Sequence, residues 1–406
     1  MNVQKNSQAI KPLPSGWRWA KLGEVCEIIA GQSPPGHTYR KTPEGLPFFQ
    51  GKADFGNRSP IPRVWCVEPT KIANAGDILI SVRAPVGPTN VAIQECCIGR
   101  GLAAIRCGNN IKMEFLLFWL KFDEGNLEKK GSGSTFGAIN RKDLEELPTP
   151  LPPFPEQQRI AAILNEQMAA VEKARAAAEA ALETANTLPA AYLKQVFPKP
   201  GQVLPAGWRW VKLGEVILEA LPGFAIGERD PKGVIQLRMN NVDTRGRLHW
   251  DEFIRVPAAE ELITRYGLQP GDVVFNNTNS TELVGKSALF IRYSEPIVYS
   301  NHFTRLRTKV DQLDSTYLAA WLLHQWQKRT FENLCNRWIG QSAVKNDKLL
   351  DLELPLSPLP EQKRIAGILN EQMAGAERLR NELEAQLHEI NALPAALLIR
   401  AFSGEL

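Results

Sequence analysis

Two stretches of the sequence approach motifs that carry chemistry, and each stops short at the residue the chemistry needs. Leu-Pro-Pro-Phe at 151–154 is near the Asn/Asp-Pro-Pro-aromatic motif of base-methylating enzymes, but Leu151 stands where an amide or carboxylate must hold the amino group of a flipped base. Its counterpart later in the chain, Leu-Ser-Pro-Leu at 356–359, reads as a structural connector. Ser-Thr-Glu-Leu-Val-Gly-Lys-Ser at 280–287 nearly fits a phosphate-cradling loop. Ser280 replaces the first glycine, and residues 287–291 read as a strand where that loop requires a helix. The six cysteines, at 26, 66, 96, 97, 107 and 335, form no Cys-x-x-Cys pair, and the five histidines form no ladder beside them. Neither a zinc site nor a disulfide framework is expected, and the cysteines read as ordinary reduced thiols. The chain is expected to be non-catalytic and to hold no cofactor or metal.

The elements around these residues are organised by repetition. Leu-Pro-Ser-Gly-Trp-Arg-Trp-Ala-Lys-Leu-Gly-Glu-Val at 13–25 returns at 204–216 with only two changes. Pro-Glu-Gln-Gln-Arg-Ile-Ala-Ala-Ile-Leu-Asn-Glu-Gln-Met at 155–168 returns, also with two changes, at 360–373. Between these ends the two copies diverge, the second being the longer, so the unit is a variable globular domain followed by a helix, used twice. With 406 residues, 44% of them hydrophobic, the chain can bury more than one core. A net charge of +4 permits a polyanionic partner but requires local clusters to hold it. The start of the chain shows no signal-peptide pattern and no segment approaches the ~20 apolar residues of a membrane span, so a cytoplasmic protein with no membrane partner is expected.

Within each variable domain, turn residues break the sequence every ~8–12 positions into short β-rich pieces such as 77–82, 91–93, 272–276 and 287–291. Helical spacing appears late in each, at 113–120 and 317–323. From 156 to 188 and from 361 to 393 the sequence is rich in strong helix formers. A heptad seam runs through Leu164, Met168, Val171, Arg175, Ala178 and Leu182, and again through Leu369, Met373, Ala376, Arg380, Leu383 and Leu387. Helices of ~50 Å follow, with Pro189 and Pro394 expected to stop them. Two matched seams in one chain can satisfy each other as an antiparallel coiled coil; Arg175 and Arg380 either set its register or extend past it to water. The expected fold is α+β: two mixed α/β domains separated by two long helices, with a pseudo-twofold internal repeat. The boundaries are a flexible tail at 1–12, domains at 13–150 and 199–355, and helices at 151–198 and 356–406.

At this point the sequence resembles a known family, the specificity subunits of type I restriction-modification systems. The resemblance rests on the opening motif, Leu-Pro-Phe-Phe-Gln-Gly-Lys at 46–52, Ala-Gly-Asp-Ile-Leu at 75–79, Ser-Val-Arg-Ala-Pro-Val-Gly at 81–87, and the Pro-Glu-Gln-x-Arg-Ile helix starts. In the second half the marks are Leu-Arg-Met-Asn-Asn-Val at 237–242 and Pro-Gly-Asp-Val-Val at 270–274; Asn-Thr-Asn-Ser-Thr at 277–281 departs from the Arg-Ala-Pro loop. The resemblance implies two target-recognition domains, each reading half of a bipartite site on double-stranded DNA, with the helices as a ruler. It implies as partners two adenine methyltransferase subunits, which would use S-adenosylmethionine, and restriction subunits. The other reading is a non-catalytic coiled-coil scaffold joining two protein-binding domains. Divergent domains on a retained frame suit two different half-sites better.

Base edges are read by arginine on guanine and by asparagine or glutamine on adenine, with cations on phosphate. The candidates in the first domain are Gln32, His37, Tyr39, Arg40, Lys41, Gln50, Lys52 and Arg83. In the second they are Arg238, Asn240, Asn241, Arg245, Arg247, Asn277, Asn279 and His302. Taken singly, each also suits a solvated loop, and Asn240 and Asn241 suit a turn. Trp17, Trp19, Trp208 and Trp210 lie in the repeated frame and are expected to pack rather than to read bases.

Overall fold

A computed structural model describes residues 13–132, 137–257 and 259–406. The tail at 1–12 lies outside the described residues. The chain divides into two compact units, 1–179 with 385–406, and 180–384.

In the first unit a four-stranded antiparallel sheet runs in the order Cys26–Ala30, Leu102–Cys107, Ile78–Ser81, Thr89–Val91. Beside it a five-stranded mixed sheet of short strands pairs Leu46–Phe49 in parallel with Cys96–Ile98. The repeated opening motif forms the turn its glycine requires: Trp17 N–H donates to the Pro14 carbonyl across Gly16, whose φ is +84°. The strand Arg18–Lys21 then pairs antiparallel with Pro148–Leu151, tying the start of the domain to its end. Phe115, Leu116 and Leu120 of the helix Met113–Ser132 fill the core against Leu22, Ile28, Ile78 and Ile105.

The second unit repeats this plan. Its sheet order is Ile217–Pro222, Phe303–Thr308, Val273–Asn276, Ser287–Leu289. Val234–Leu237 runs parallel to Ile297–Tyr299, and Arg209–Lys212 pairs with Glu353–Leu356. The helix Ser315–Gln327 is capped by Asp314, whose carboxylate accepts from the N–H groups of Thr316 and Tyr317. Its Tyr317, Leu318, Trp321 and Leu322 fill the core. The repeated Gly-Asp also has a mechanical role in both domains. Gly76 and Gly271 take φ near +90° (+90° and +95°), and the following aspartate closes the turn on Asn74 or Gln269 and pairs with Arg106 or Arg307, each at 2.8 Å. Arg305, buried beside them, pairs with Glu219 and donates to the Gly267 carbonyl.

Both long helices outrun the sequence expectation. They span Phe154–Val196 and Leu359–Ser403, with Pro189 and Pro394 inside them rather than at their ends. An internal proline loses one backbone hydrogen bond and costs ~3 kcal/mol. The turns that follow offset this by burial. Leu193 and Phe197 enter the core of the second unit, Phe197 packing edge-on to Tyr317 at 5.3 Å. Leu398, Ala401 and Phe402 enter the core of the first, where Phe402 meets Trp119, Phe122 and Phe115 at 5.2, 5.3 and 5.6 Å. Fully burying one such side chain is worth ~1.5–3 kcal/mol. Each unit therefore takes in the end of the helix that starts in the other, and within each unit the two helix segments are antiparallel.

The seam is apolar where the heptads place it. Leu164, Val171 and Ala178 are buried in the first unit, with Val171 and Ala178 clustered around Ile390; Leu369 and Ala376 are buried in the second. Arg175 pairs with Glu172 and Glu179, and Arg380 with Glu377 and Glu384, all carboxylates of their own helices.

The repeated Pro-Glu-Gln-x-Arg is a latch. Gln157 is buried; its carbonyl accepts from Lys112 N–H at 2.8 Å, and its amide donates to the carbonyls of Asn110 and Pro152 at 3.0 and 2.9 Å. Gln362 does the same with Asp314 N–H, Gln312 and Ser357 at 2.8, 2.9 and 2.8 Å. The glutamate and arginine around each latch form a fork, Glu156 with Arg159 and Glu361 with Arg364.

Candidate nucleic-acid interface

The two domains are superimposable hydrogen bond by hydrogen bond at one place, where strand ends and a tight turn cross. In the first domain Gly31 N–H donates to the Leu102 carbonyl, Gln32 to Ile98, Val82 to Gly101, Gly99 to Phe49, and Ile139 to Val82. In the second, Gly223 donates to Phe303, Phe224 to Tyr299, Asn277 to His302, Ser300 to Leu237, and Val344 to Asn277. The sheet registers agree, since Leu102 faces Ser81 as Phe303 faces Asn276. The match makes Gln50 equivalent to Arg238, Arg83 to Thr278, Arg100 to Asn301, and Gly101 to His302. One backbone frame thus carries different polar groups in the two domains.

This crossing gathers Gln32, Gln50 and Arg83 of the first domain's expected residues, and Arg238, Asn277 and His302 of the second's. The exposed Arg83 lines a cleft of about 330 Å³ with Arg100 and Arg141. Arg141 pairs with Glu145; among the described residues neither Arg83 nor Arg100 has a carboxylate partner. Gln32 is exposed, and its carbonyl accepts from the Thr70 hydroxyl. Gln50 is exposed where the chain leaves Leu46–Phe49. In the second domain Arg238 and Asn301 are exposed, and burial together with the Arg238 charge holds the His302 imidazole below its usual pKa. The amide of Asn277 donates to Thr304 Oγ1 and the Asn301 carbonyl, so it shapes the turn.

Other expected residues lie outside the crossing or are committed elsewhere. His37 is exposed on the short turn that leads into the strand Tyr39–Arg40 of the mixed sheet, and Lys41 is exposed directly after that strand. Tyr39 is committed to packing: its hydroxyl donates to the Pro34 carbonyl and its ring lies 4.8 Å from Phe48. Arg40 donates to the carbonyls of His37 and Tyr39. Lys52 and Asn240 are exposed on equivalent short turns. Asn241 is buried, accepting from Arg238 N–H and donating to the carbonyls of His249 and Glu252, which leaves no free group for a base. Asn279 bonds the Asn276 side chain and Ser280 N–H. Arg245 and Arg247 both clamp Glu377 of the second long helix, at 2.8 and 3.0 Å, and Arg247 also holds Asp243. Sequence reading missed Arg100 and Asn301. The signal was available in the turn Gly-Arg-Gly at 99–101, which aligns with Ser-Asn-His at 300–302 once the strands on either side are matched.

Three of the four repeated tryptophans pack, unequally, Trp208 against the core of the second unit. Trp17 meets Phe115 and Trp19 meets Trp119, at 6.0 and 5.9 Å, while Trp19 keeps 40% of its surface exposed. Among the described residues no group of ligands suited to a metal ion occurs, and no helix is long and apolar enough to cross a membrane.

A duplicated α+β domain with a repeated strand-end crossing, joined through paired long helices, defines a two-part recognition protein. The family described as type I restriction modification DNA specificity domain matches residues 14–179 and 205–389, and the chain belongs to that family. It is a specificity subunit of the type I restriction-modification kind, with two target-recognition domains. It is 24% identical over 430 residues to the StySPI specificity subunit of Salmonella potsdam and, over the same length, to the EcoKI specificity subunit of Escherichia coli K12. Each match covers 97% of this chain and 90% of the relative. A 156-residue stretch is 46% identical to a protein named for the MjaX specificity subunit of Methanocaldococcus jannaschii, covering 37% of this chain and 36% of that protein. Two solved structures share the fold, both at 24% identity. One is a chain from a type I restriction-modification system, with a TM-score of 0.76 over 97% of this chain and 99% of that one. The other is the HsdS subunit from Thermoanaerobacter tengcongensis, with a TM-score of 0.65 over 98% and 100%.

Proposed function

We propose that this chain reads a bipartite site on double-stranded DNA, with one half taken by a domain at 13–150 and the other by a domain at 199–355. The helices at 151–198 and 356–406 set the unread spacer. They also dock two methyltransferase subunits, which bind S-adenosylmethionine, while restriction subunits complete the assembly in the cytoplasm. The chain itself contributes recognition and no chemistry. The observation that carries this reading is the strand-end crossing: its backbone hydrogen bonds repeat between the domains while its polar side chains differ. A scaffold binding one protein twice has no use for that difference. The residues proposed to face DNA there are Gln32, Gln50, Arg83, Arg238 and His302; His37, Lys41, Lys52 and Asn240 on the exposed turns nearby are proposed as phosphate contacts.

The test is to map methylated adenines across the genome of a host with the gene, without it, and with residues 14–150 exchanged for another such domain. A two-part motif that vanishes with the gene, and of which the exchange alters one half, is the expected result. An exchange that alters both halves would refute the two-reader arrangement.

A further inference from the structure

The equivalence of Arg83 with Thr278 and of Arg100 with Asn301 changes the hydrogen-bonding character of the crossing from one domain to the other. A guanidinium only donates, in a fixed fork that matches the O6 and N7 acceptors of guanine. A carboxamide both donates and accepts, matching the N6 donor and N7 acceptor of adenine. We propose that the crossings are the specificity determinants, with Arg83 and Arg100 reading guanine in the first half-site and Asn301 reading adenine in the second. This inference rests on the reading of the preceding section.

Three observations, taken together, point to these side chains. The first is that, among the described residues, Arg83 and Arg100 share with Arg238 at the second crossing the lack of an ion pair, whereas arginines close to them are paired. Arg106, on the neighbouring strand, is held by Asp77 and Glu27, and in the second domain Arg305 and Arg307 are held by Glu219 and Asp272. Arg245 and Arg247 are held by Glu377. Arg83 and Arg100 are exposed, and among the described residues their guanidiniums make no ion pair, so binding need not break one. The second is convergence: both line one cleft of about 330 Å³, whose lining includes Gly31 and Ala103, which offer backbone and no bulk. The third is the rigidity of the frame. Arg100 sits in a turn closed by Leu102 N–H on the Gly99 carbonyl at 2.9 Å and held to the neighbouring sheet through Gly99 N–H on Phe49. Its counterpart Asn301 has its backbone fixed at both ends, N–H to the Phe224 carbonyl and carbonyl to the Asn277 amide, while its side chain makes no hydrogen bond among the described residues. A reader on a fixed backbone loses less freedom on binding than one on a loose loop.

The experiment uses the full chain assembled with its methyltransferase subunits, with methylation measured on a DNA library varied across both half-sites. Variants are Arg83→Ala, Arg100→Ala and Asn301→Ala. Each arginine variant is expected to relax one guanine position of the first half-site, lowering discrimination there by roughly tenfold or more while the second half-site reads as before. Asn301→Ala is expected to relax one adenine of the second half-site, other than the methylated base, and to spare the first. The unchanged half reports in each case that the protein is folded and assembled. Unchanged discrimination at every position would overturn the inference. So would a uniform loss across all sequences with a shallower salt dependence, the mark of phosphate contacts. In both of these outcomes the wild-type motif stays in two parts, so the two-reader function stands; a wild-type complex with no two-part motif would sink that function and this inference with it.

Discussion

Phe402→Ala probes the point where the end of the second long helix closes the core of the first unit. Phe402 is fully buried, and its ring meets those of Phe115, Trp119 and Phe122 within 5.6 Å. Truncating such a side chain removes its transfer energy and leaves a cavity that Trp119 and Phe115, held by the sheet behind them, only partly refill. The expected loss is about 3–5 kcal/mol. A single global midpoint would blur the effect, because a chain of two units need not unfold in one step. Hydrogen exchange of the helix Met113–Ser132 is therefore the assay, with the helix Ser315–Gln327 as internal reference. Protection should fall by at least about a hundredfold in the first helix and change little in the second. Phe197→Ala should show the reverse pattern, since Phe197 packs edge-on to Tyr317 and stacks on His324 in the second unit. A loss under about 1 kcal/mol for Phe402→Ala, or equal loss in both helices, would mean that the helix ends do not close the cores.

Two further outcomes follow from polar groups. Gln362→Leu strands the half-buried Asp314 N–H and the carbonyls of Gln312 and Ser357, the last of them buried, and should cost about 1–3 kcal/mol in urea unfolding of the second unit, with Gln157→Leu doing the same in the first; a neutral substitution would show that water replaces the latch. Glu377 is held down to a pKa of about 2 by Arg380 and then by Arg247 and Arg245, so its contribution is full above the ordinary carboxylate pKa near 4.5 and is lost as pH falls through about 2. Glu377→Gln should therefore flatten the acid limb of the stability curve between those values, and an unchanged limb would assign the acid sensitivity to other carboxylates.

Periodicity made the large features legible. The duplicated motifs located both domains, and the heptads placed Leu164, Val171, Leu369 and Ala376 in the seam because burial along a helix depends only on local spacing. The helix ends were misread because Pro189 and Pro394 are strong local stops whose cost is offset by Phe197 and Phe402 docking on cores distant in sequence. The candidate site was only half legible for a related reason. Arg245 and Arg83 look alike in sequence, yet one is neutralised by Glu377, 132 residues away, and the other has no carboxylate beside it among the described residues. The equivalence of Arg100 with Asn301 is readable in the sequence only after the flanking strands are matched, because residue identity at that turn is what differs between the copies.

The crossed closure of the cores imposes an order on biosynthesis. When the ribosome has finished the strand Pro148–Leu151, the first domain has its sheets and the helix Met113–Ser132, but Phe402 lies some 250 residues downstream. At ~5–20 residues per second, that domain waits for ~10–50 s with Phe115, Trp119 and Phe122 uncovered on the side that Phe402 will fill. A nascent chain in this interval presents an aromatic patch of the kind that holding chaperones bind.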